Sequence, residues 1–164
     1  REPHPLMPRH SENRHLPYEA DQIWALVADV ARYPEFLPWT SAARIRSRAP
    51  LPGRGPGAEQ LEADLVISFK VFRERFGSRV RLVPAESRIE TDYLDGPFRY
   101  LHSFWQIDPD PAGGCRVRFE VDFEFPSKVL QTVIGVVFDE AMRRVVRAFE
   151  ARAAQLHGPG QATG

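Results

Sequence analysis

Apolar residues in the last quarter of the chain recur at helical spacing: Leu130, Val133, Ile134, Val137, Phe138, Ala141, Val145, Phe149 and Leu156. Lys128, Asp139, Arg143, Arg144, Arg147 and Arg152 fill the other faces. That period predicts one long amphipathic helix over 127–157, opened by Ser127 and stopped by Gly158 and Pro159. Before it the period is two. Leu61, Ala63, Leu65, Ile67 and Phe69 share one parity, against Glu62, Asp64 and Ser68. Phe72, Phe76, Val80 and Leu82 alternate with Arg73, Arg75, Arg79 and Arg81. Val117, Phe119, Val121, Phe123 and Phe125 alternate with Arg116, Arg118, Glu120, Asp122 and Glu124. Shorter strands are predicted over 88–93 and 98–107, a strand start over 44–48, and a polar edge strand over 9–16. Ile23, Leu26, Val27 and Val30 form one stripe of a helix over 19–30, followed by a compact short helix or turn over 31–40.

The order is strand, two short helices, about six strands and one long helix. Prolines and glycines over 50–57, at Pro84, at Gly96–Pro97 and over 108–114 mark the turns. Short turns imply antiparallel neighbours. The pattern predicts an α+β domain over 9–157, a curved antiparallel sheet of six or seven strands gripping the long helix. Such a sheet has one apolar face, and the terminal helix is the element long enough to cover it. Residues 1–8, with three prolines, read as a loose arm, and 158–164 as a tail.

Composition then narrows the chemistry. The 164 residues carry zero formal net charge, so no global field calls for nucleic acid, and DNA is not expected as a partner. The single cysteine, Cys115, excludes an internal disulfide framework and a cysteine-rich metal site. No stretch has the length of apolar chain needed to span a bilayer. His4, His10, His15, His102 and His157 show no helical pairing at spacing three or four, so no metal site is expected. Ser68, Ser78 and Ser103 lack a nucleophile-elbow context, and the 52–57 glycines lack a phosphate-cradle lysine. No catalytic residue is assigned.

Four features keep two readings each. Glu74 shares parity with Phe72 and Phe76; it either faces the covered side, binding a polar head group with His102 or Tyr100, or sits in water at an edge or bulge. His102 reads more simply as a locally hydrogen-bonded histidine than as a catalytic one. Arg73, Arg75, Arg79 and Arg81 form a basic surface that is either paired with Glu62, Asp64, Glu90 and Asp92 or offered to RNA. Tyr33, Pro34, Leu37, Pro38 and Trp39 are either core packing or a mouth between apolar and wet surroundings.

Taken in order, several motifs resemble a known family. They are Leu16–Pro17–Tyr18, Ile23, Val27, Asp29–Val30, Tyr33–Pro34 and Phe36–Leu37–Pro38–Trp39, then Phe72–Arg73–Glu74–Arg75–Phe76, Gly96–Pro97–Phe98 and Trp105. Val121, Phe123 and Phe125 follow, then Phe149–Glu150–Ala151–Arg152–Ala153. Together they resemble the COQ10/RatA proteins, in the polyketide cyclase/dehydrase-like branch of the START (Bet v 1-like) superfamily. Thr40 stands where these relatives often carry cysteine, which argues against thiol chemistry there.

The resemblance implies a helix-grip fold with a cavity between sheet and terminal helix. It implies non-enzymatic carriage of ubiquinone or a related polyprenyl lipid in support of respiration. The expected cavity residues are Leu65, Ile67, Phe76, Tyr100, Trp105, Phe119, Val121, Val133, Val137, Phe138 and Val145, with Glu74 and His102 as polar candidates. Tyr33, Pro34, Leu37, Pro38 and Trp39 would form the mouth. No catalytic cofactor is expected, only a bound quinone or lipid. The alternative is a ribosome-associated toxin that binds the large subunit and blocks subunit association; the third is a cyclase-like enzyme. The implied location is cytoplasmic, with peripheral contact at the inner membrane.

Overall fold

The computed structural model describes residues 9–69 and 72–158, and the side chains of Phe69, Phe72 and Leu130 lie outside that description. The expectations for the 1–8 arm, for the tail beyond Gly158, and for Phe69, Phe72 and Leu130 fall outside it too. The chain runs β1 (Arg9–Leu16), α1 (Ala20–Ala28), a 3-10 helix (Val30–Glu35), β2 (Thr40–Pro50), β3 (Glu59–Phe69) and β4 (Phe72–Val83). After a 3-10 turn come β5 (Arg88–Asp95), β6 (Tyr100–Pro109), β7 (Cys115–Glu124) and α2 (Lys128–His157). All strands join one antiparallel sheet in the order β1-β7-β6-β5-β4-β3-β2. This is an α+β helix-grip fold; the periodicity predicted the antiparallel sheet and the long covering helix, and the resemblance implied the grip. The strand expected from Arg44 is longer, starting at Thr40 and bulging between Ile45 and Ser47.

Local chemistry sets the breaks. At the start of α1 the Glu19 backbone N–H donates to Gln22 Oε1 at 3.0 Å, satisfying one orphan donor. At the β6–β7 turn Gly114 has φ +74°, and a Cβ there would lie 2.3 Å from the Leu16 carbonyl oxygen. Only glycine fits both the left-handed backbone and the approach of β1.

The core sits between the concave face of the sheet and the helices. Leu61, Ala63, Val80, Trp105, Ile107, Val117 and Phe119 project from the strands. Ile23 and Val27 of α1 and Phe138, Val146, Phe149 and Ala153 of α2 close over them. Two ion pairs fix the sides of α2. Arg14 of β1 donates to Glu150 at 2.8 Å, and Arg152 donates to Glu35 of the 3-10 helix at 2.6 Å.

A third tie is His10, 5% exposed on the inner side of β1. Its Nε2 lies 2.8 Å from Glu12 Oε1 and its Nδ1 lies 3.0 Å from Asp139 Oδ1 of α2. Both neighbours are carboxylates, so the ring bridges β1 to α2. Replacing His10 by Ala is expected to destabilise the fold by roughly 1–3 kcal/mol, because a buried ring is removed and Glu12, 15% exposed, loses one of its donors. Urea unfolding of His10→Ala checks this; an unchanged midpoint would refute the tie.

Candidate functional site

The sheet carries different chemistry on its two faces, and strand register decides which residue meets which. Ile67 pairs with Glu74, Leu65 with Phe76, Trp105 with Phe119, and Ser103 with Val121, all on the concave side. Phe76, Trp105, Phe119, Val121 and Phe138 are buried there. Trp105 lies 4.5 Å from Phe119 and 5.0 Å from Phe149 between ring centroids, so this end is packed by aromatic rings. Toward β2 the cover thins. Ala43, Ile45, Leu65 and Ile67 are only half-buried, as is Val145 on α2. The apolar concave surface therefore opens on the β2–β3–β4 side.

Four expected cavity positions lie elsewhere. Tyr100, 40% exposed, and His102 have the opposite parity from Trp105 and face outward. His102 Nδ1 is 2.7 Å from Asp92 Oδ1, the local hydrogen bond its plainer reading required. Val133 and Val137 are 57% and 45% exposed, so they do not wall a closed interior. Glu74 keeps the concave parity, but it is exposed and its carboxylate stands in water.

Tyr33, Pro34, Leu37, Pro38 and Trp39 cluster, all half-buried, where the 3-10 helix meets β2. The Tyr33 hydroxyl donates to the Val27 carbonyl. Burial, helped by the nearby Asp29 charge, pushes this phenol far above its ordinary range. Phe36 stacks edge-on to Phe149 at 5.2 Å, and the Arg152 guanidinium lies 5.2 Å from the Phe36 centroid. Trp39 has φ +63°, a left-handed backbone that costs a bulky residue energy. Its carbonyl accepts from the Ser68 N–H at 2.7 Å, fixing the strained turn to the end of β3.

On the outer face the arginines divide into two groups. Arg79 meets Glu62 at 3.4 Å, and Arg81 meets Glu90 at 2.9 Å and Asp92 at 2.5 Å. These two are neutralised across the strands, and Arg54 and Arg88 add to the same lattice through Glu86 and Glu90. Burial pushes the Glu90 carboxyl up, but hydrogen bonds from Arg54, Arg81 and Arg88 outweigh it and hold it at about 2.

At the β2–β3–β4 end the balance differs. Arg44, Arg46 and Arg75 surround two carboxylates, Asp64 and Asp95. Arg73 donates to the hydroxyls of Ser41 and Ser68. Arg44 is 77% exposed at its side chain. Gly77 makes room for this cluster, since a Cβ there would lie 2.5 Å from Arg46 Nη2. The corner is thus a cationic surface, built partly by arginines of β2 that the sequence reading left out.

Asp64 is the keystone: its hydrogen bond from Arg46, with those from Arg44 and Arg75, lowers its pKa to about 2. A carboxylate depressed in the folded state stabilises the fold above its unfolded pKa of about 4, and that contribution disappears as pH falls through 2. The melting temperature is expected to fall between pH 4 and pH 2 with a smaller slope in Asp64→Asn, as scanning calorimetry will show.

An outer depression, about 280 Å³, lies over β1, β7 and β6, lined by Asn13, His15, Gln106, Asp108, Arg116 and Arg118 among others. Its lining holds Arg14, Arg116 and Arg118 against one carboxylate, Asp108. Among the described residues no group of three His, Cys, Asp or Glu could hold a metal ion. Cys115 is buried; burial, with Glu19 and Asp110 nearby, pushes its thiol up to about 11, so the thiolate needed for nucleophilic chemistry is scarce near neutrality. No helix among the described residues is long and apolar enough to cross a membrane.

Comparison with known proteins agrees with this architecture. The family described as polyketide cyclase / dehydrase and lipid transport matches residues 16–150. A ribosome association toxin RatA from Pseudomonas aeruginosa is 34% identical over 143 residues, covering 87% of this chain and 93% of that one. The coenzyme Q-binding protein COQ10 homolog B of Xenopus laevis is 29% identical, covering 91% of this chain and 59% of that one. Among solved structures, an 18 kDa protein from Caulobacter crescentus is 35% identical with a TM-score of 0.76, covering 93% of this chain and 99% of that one. An aromatase/cyclase from a Streptomyces species has a TM-score of 0.74 at 18% identity over 94% of this chain and 99% of that one, a likeness of fold alone.

Proposed function

The chain belongs to the RatA/COQ10-like family of the polyketide cyclase/START superfamily, and from that premise we propose that it is a ribosome-associating protein. The observation that carries this reading is relatedness over full length. Relatives named for ribosome association match at 34–35% identity and are covered over nine-tenths of their own length. The coenzyme Q-binding relative is matched over 59% of its length at lower identity.

The cationic corner supplies a suitable contact. Arg44, Arg73 and Arg75 project there with fewer carboxylates than guanidiniums, so phosphate oxygens compete well for their free N–H groups. No covalent chemistry is required. Steric blocking of the two subunits, which the family resemblance implies, needs only a bound rigid domain.

Sucrose-gradient sedimentation of the purified protein with isolated ribosomal subunits tests the proposal. Co-migration with the large subunit, declining as salt rises, is expected. Protein that stays at the top of the gradient at low salt refutes it.

A second reading rests on a separate observation. The half-buried Ala43, Ile45, Leu65 and Ile67 leave apolar concave surface open beside α2. A polyprenyl tail laid there gains roughly 0.8 kcal/mol per buried methylene. Leu65, Ile67, Phe76 and Val145 would contact the tail, and the Tyr33–Trp39 turn would border its entry. Native mass spectrometry of the protein with extracted lipid addresses this reading.

A further inference from the structure

The outward face of α2 changes character along its length. At 100° per residue, Val129, Val133, Val136, Val137, Glu140, Arg143, Arg144 and Arg147 fall on one side, opposite the buried Gln131, Phe138 and Phe149. Val129 is 76% exposed and Val136 82%, with Val133 at 57% and Val137 at 45%. Four valines thus form one contiguous apolar surface where an amphipathic helix would place polar residues. They are short and branched, and the four together expose roughly 300–400 Å², comparable to the largest patch on an ordinary monomer.

The charges beside them have one sign in excess. Lys128 is exposed just before the first valine. Arg143, Arg144 and Arg147 follow the last, and all three share the single carboxylate of Glu140, at 3.6, 3.4 and 2.9 Å. An occupant must therefore offer apolar surface and negative charge together. RNA offers the charge, but its exposed bases call for stacking rings, which valine lacks. A second copy would bring the same arginine excess against itself, and the patch falls short of the ~800 Å² per partner of a standard protein interface.

We infer that this face is a docking surface for an anionic lipid bilayer: the valines enter the acyl boundary while Lys128 and the arginine triad meet the head groups. The outward face of α2 and the cationic corner lie on opposite layers of the molecule, helix and sheet. The inference does not depend on ribosome association.

The test is sedimentation of the whole protein with phosphatidylcholine vesicles, with and without phosphatidylglycerol. Binding is expected only with the anionic lipid. Val133→Glu with Val136→Glu should reduce it at least tenfold, and each of Arg143→Gln, Arg144→Gln and Arg147→Gln by about fivefold. Both valines are solvent-facing, so an unchanged melting temperature verifies that the variants fold. The same valine variants are run in the ribosomal gradient, where unchanged migration is expected. Absence of wild-type binding to anionic vesicles, or vesicle binding unaffected by the valine changes, overturns the inference. Loss of ribosomal co-migration in the valine variants also overturns it and assigns the face to the ribosome. A wild-type protein that fails to migrate with ribosomes counts against the ribosomal reading alone.

Discussion

Phe149→Ala is expected to unfold more easily than the parent by roughly 3–5 kcal/mol, the usual cost of emptying a buried aromatic site. Phe149 is 3% exposed and is the point where three elements meet. From α2 its ring touches Tyr33 at 5.5 Å and Phe36 at 5.2 Å in the 3-10 helix, and Trp105 at 5.0 Å on β6. Those neighbours are held by Tyr33 to Val27 and by Trp105 to Phe119, so they cannot easily collapse into the gap. For a chain of this length the loss corresponds to a melting temperature lower by on the order of 10 °C. Leu156→Ala, at a position 53% exposed on the same helix, should change stability by less than about 0.5 kcal/mol. Guanidinium titration of both variants decides the matter; equal losses would show that α2 is not held at this point.

Neutralising the corner should have the largest effect on association. Arg73→Gln with Arg75→Gln is expected to weaken ribosome binding at least about tenfold and to lower the salt slope by roughly two, one per lost phosphate contact. The fold should survive, because Asp64 keeps Arg46 at 2.6 Å and Arg44 at 3.3 Å. Arg79→Gln serves as the control. Arg79 is already engaged by Glu62, so its loss should change the slope little. Quantitative gradients at several salt concentrations distinguish the two, and equal effects would remove the corner from the interface.

The architecture was readable because its periods are clean. Phe119, Val121 and Phe123 alternate with charged neighbours, and no turn between β2 and β7 is long enough for a parallel crossover, so an antiparallel sheet follows. The side of β6 was harder to read. Phe104 is buried on the outer face beneath Arg88, whose guanidinium lies 3.9 Å from the ring centroid. Aromatic residues of both parities therefore looked internal, and Tyr100 and His102 were drawn in with them.

Glu74 shows a different limit. Parity gives its face, but exposure depends on how far α2 reaches across the sheet. The valines were misread for a related reason. Helical spacing selects the face that closes the core, and Val133 and Val137 fit its edge. Val129 and Val136 belong to a second apolar face that core packing does not require. Arg44 and Arg46 join Asp64 beside a bulge in β2. The tie between His10 and Asp139 spans 129 positions, a distance over which no local pattern operates.

The strand order has a consequence for biosynthesis. Among the described residues β1 pairs only with β7, Arg9 opposite Asp122 and Leu16 opposite Cys115, although β7 is the last of these strands to be made. The β2–β3–β4 meander can zip up as it leaves the exit tunnel, while β1 must wait for about a hundred further residues. A nascent chain arrested before Cys115 carries β1 with both edges bare, its backbone N–H and C=O groups left to water until translation supplies the missing neighbour.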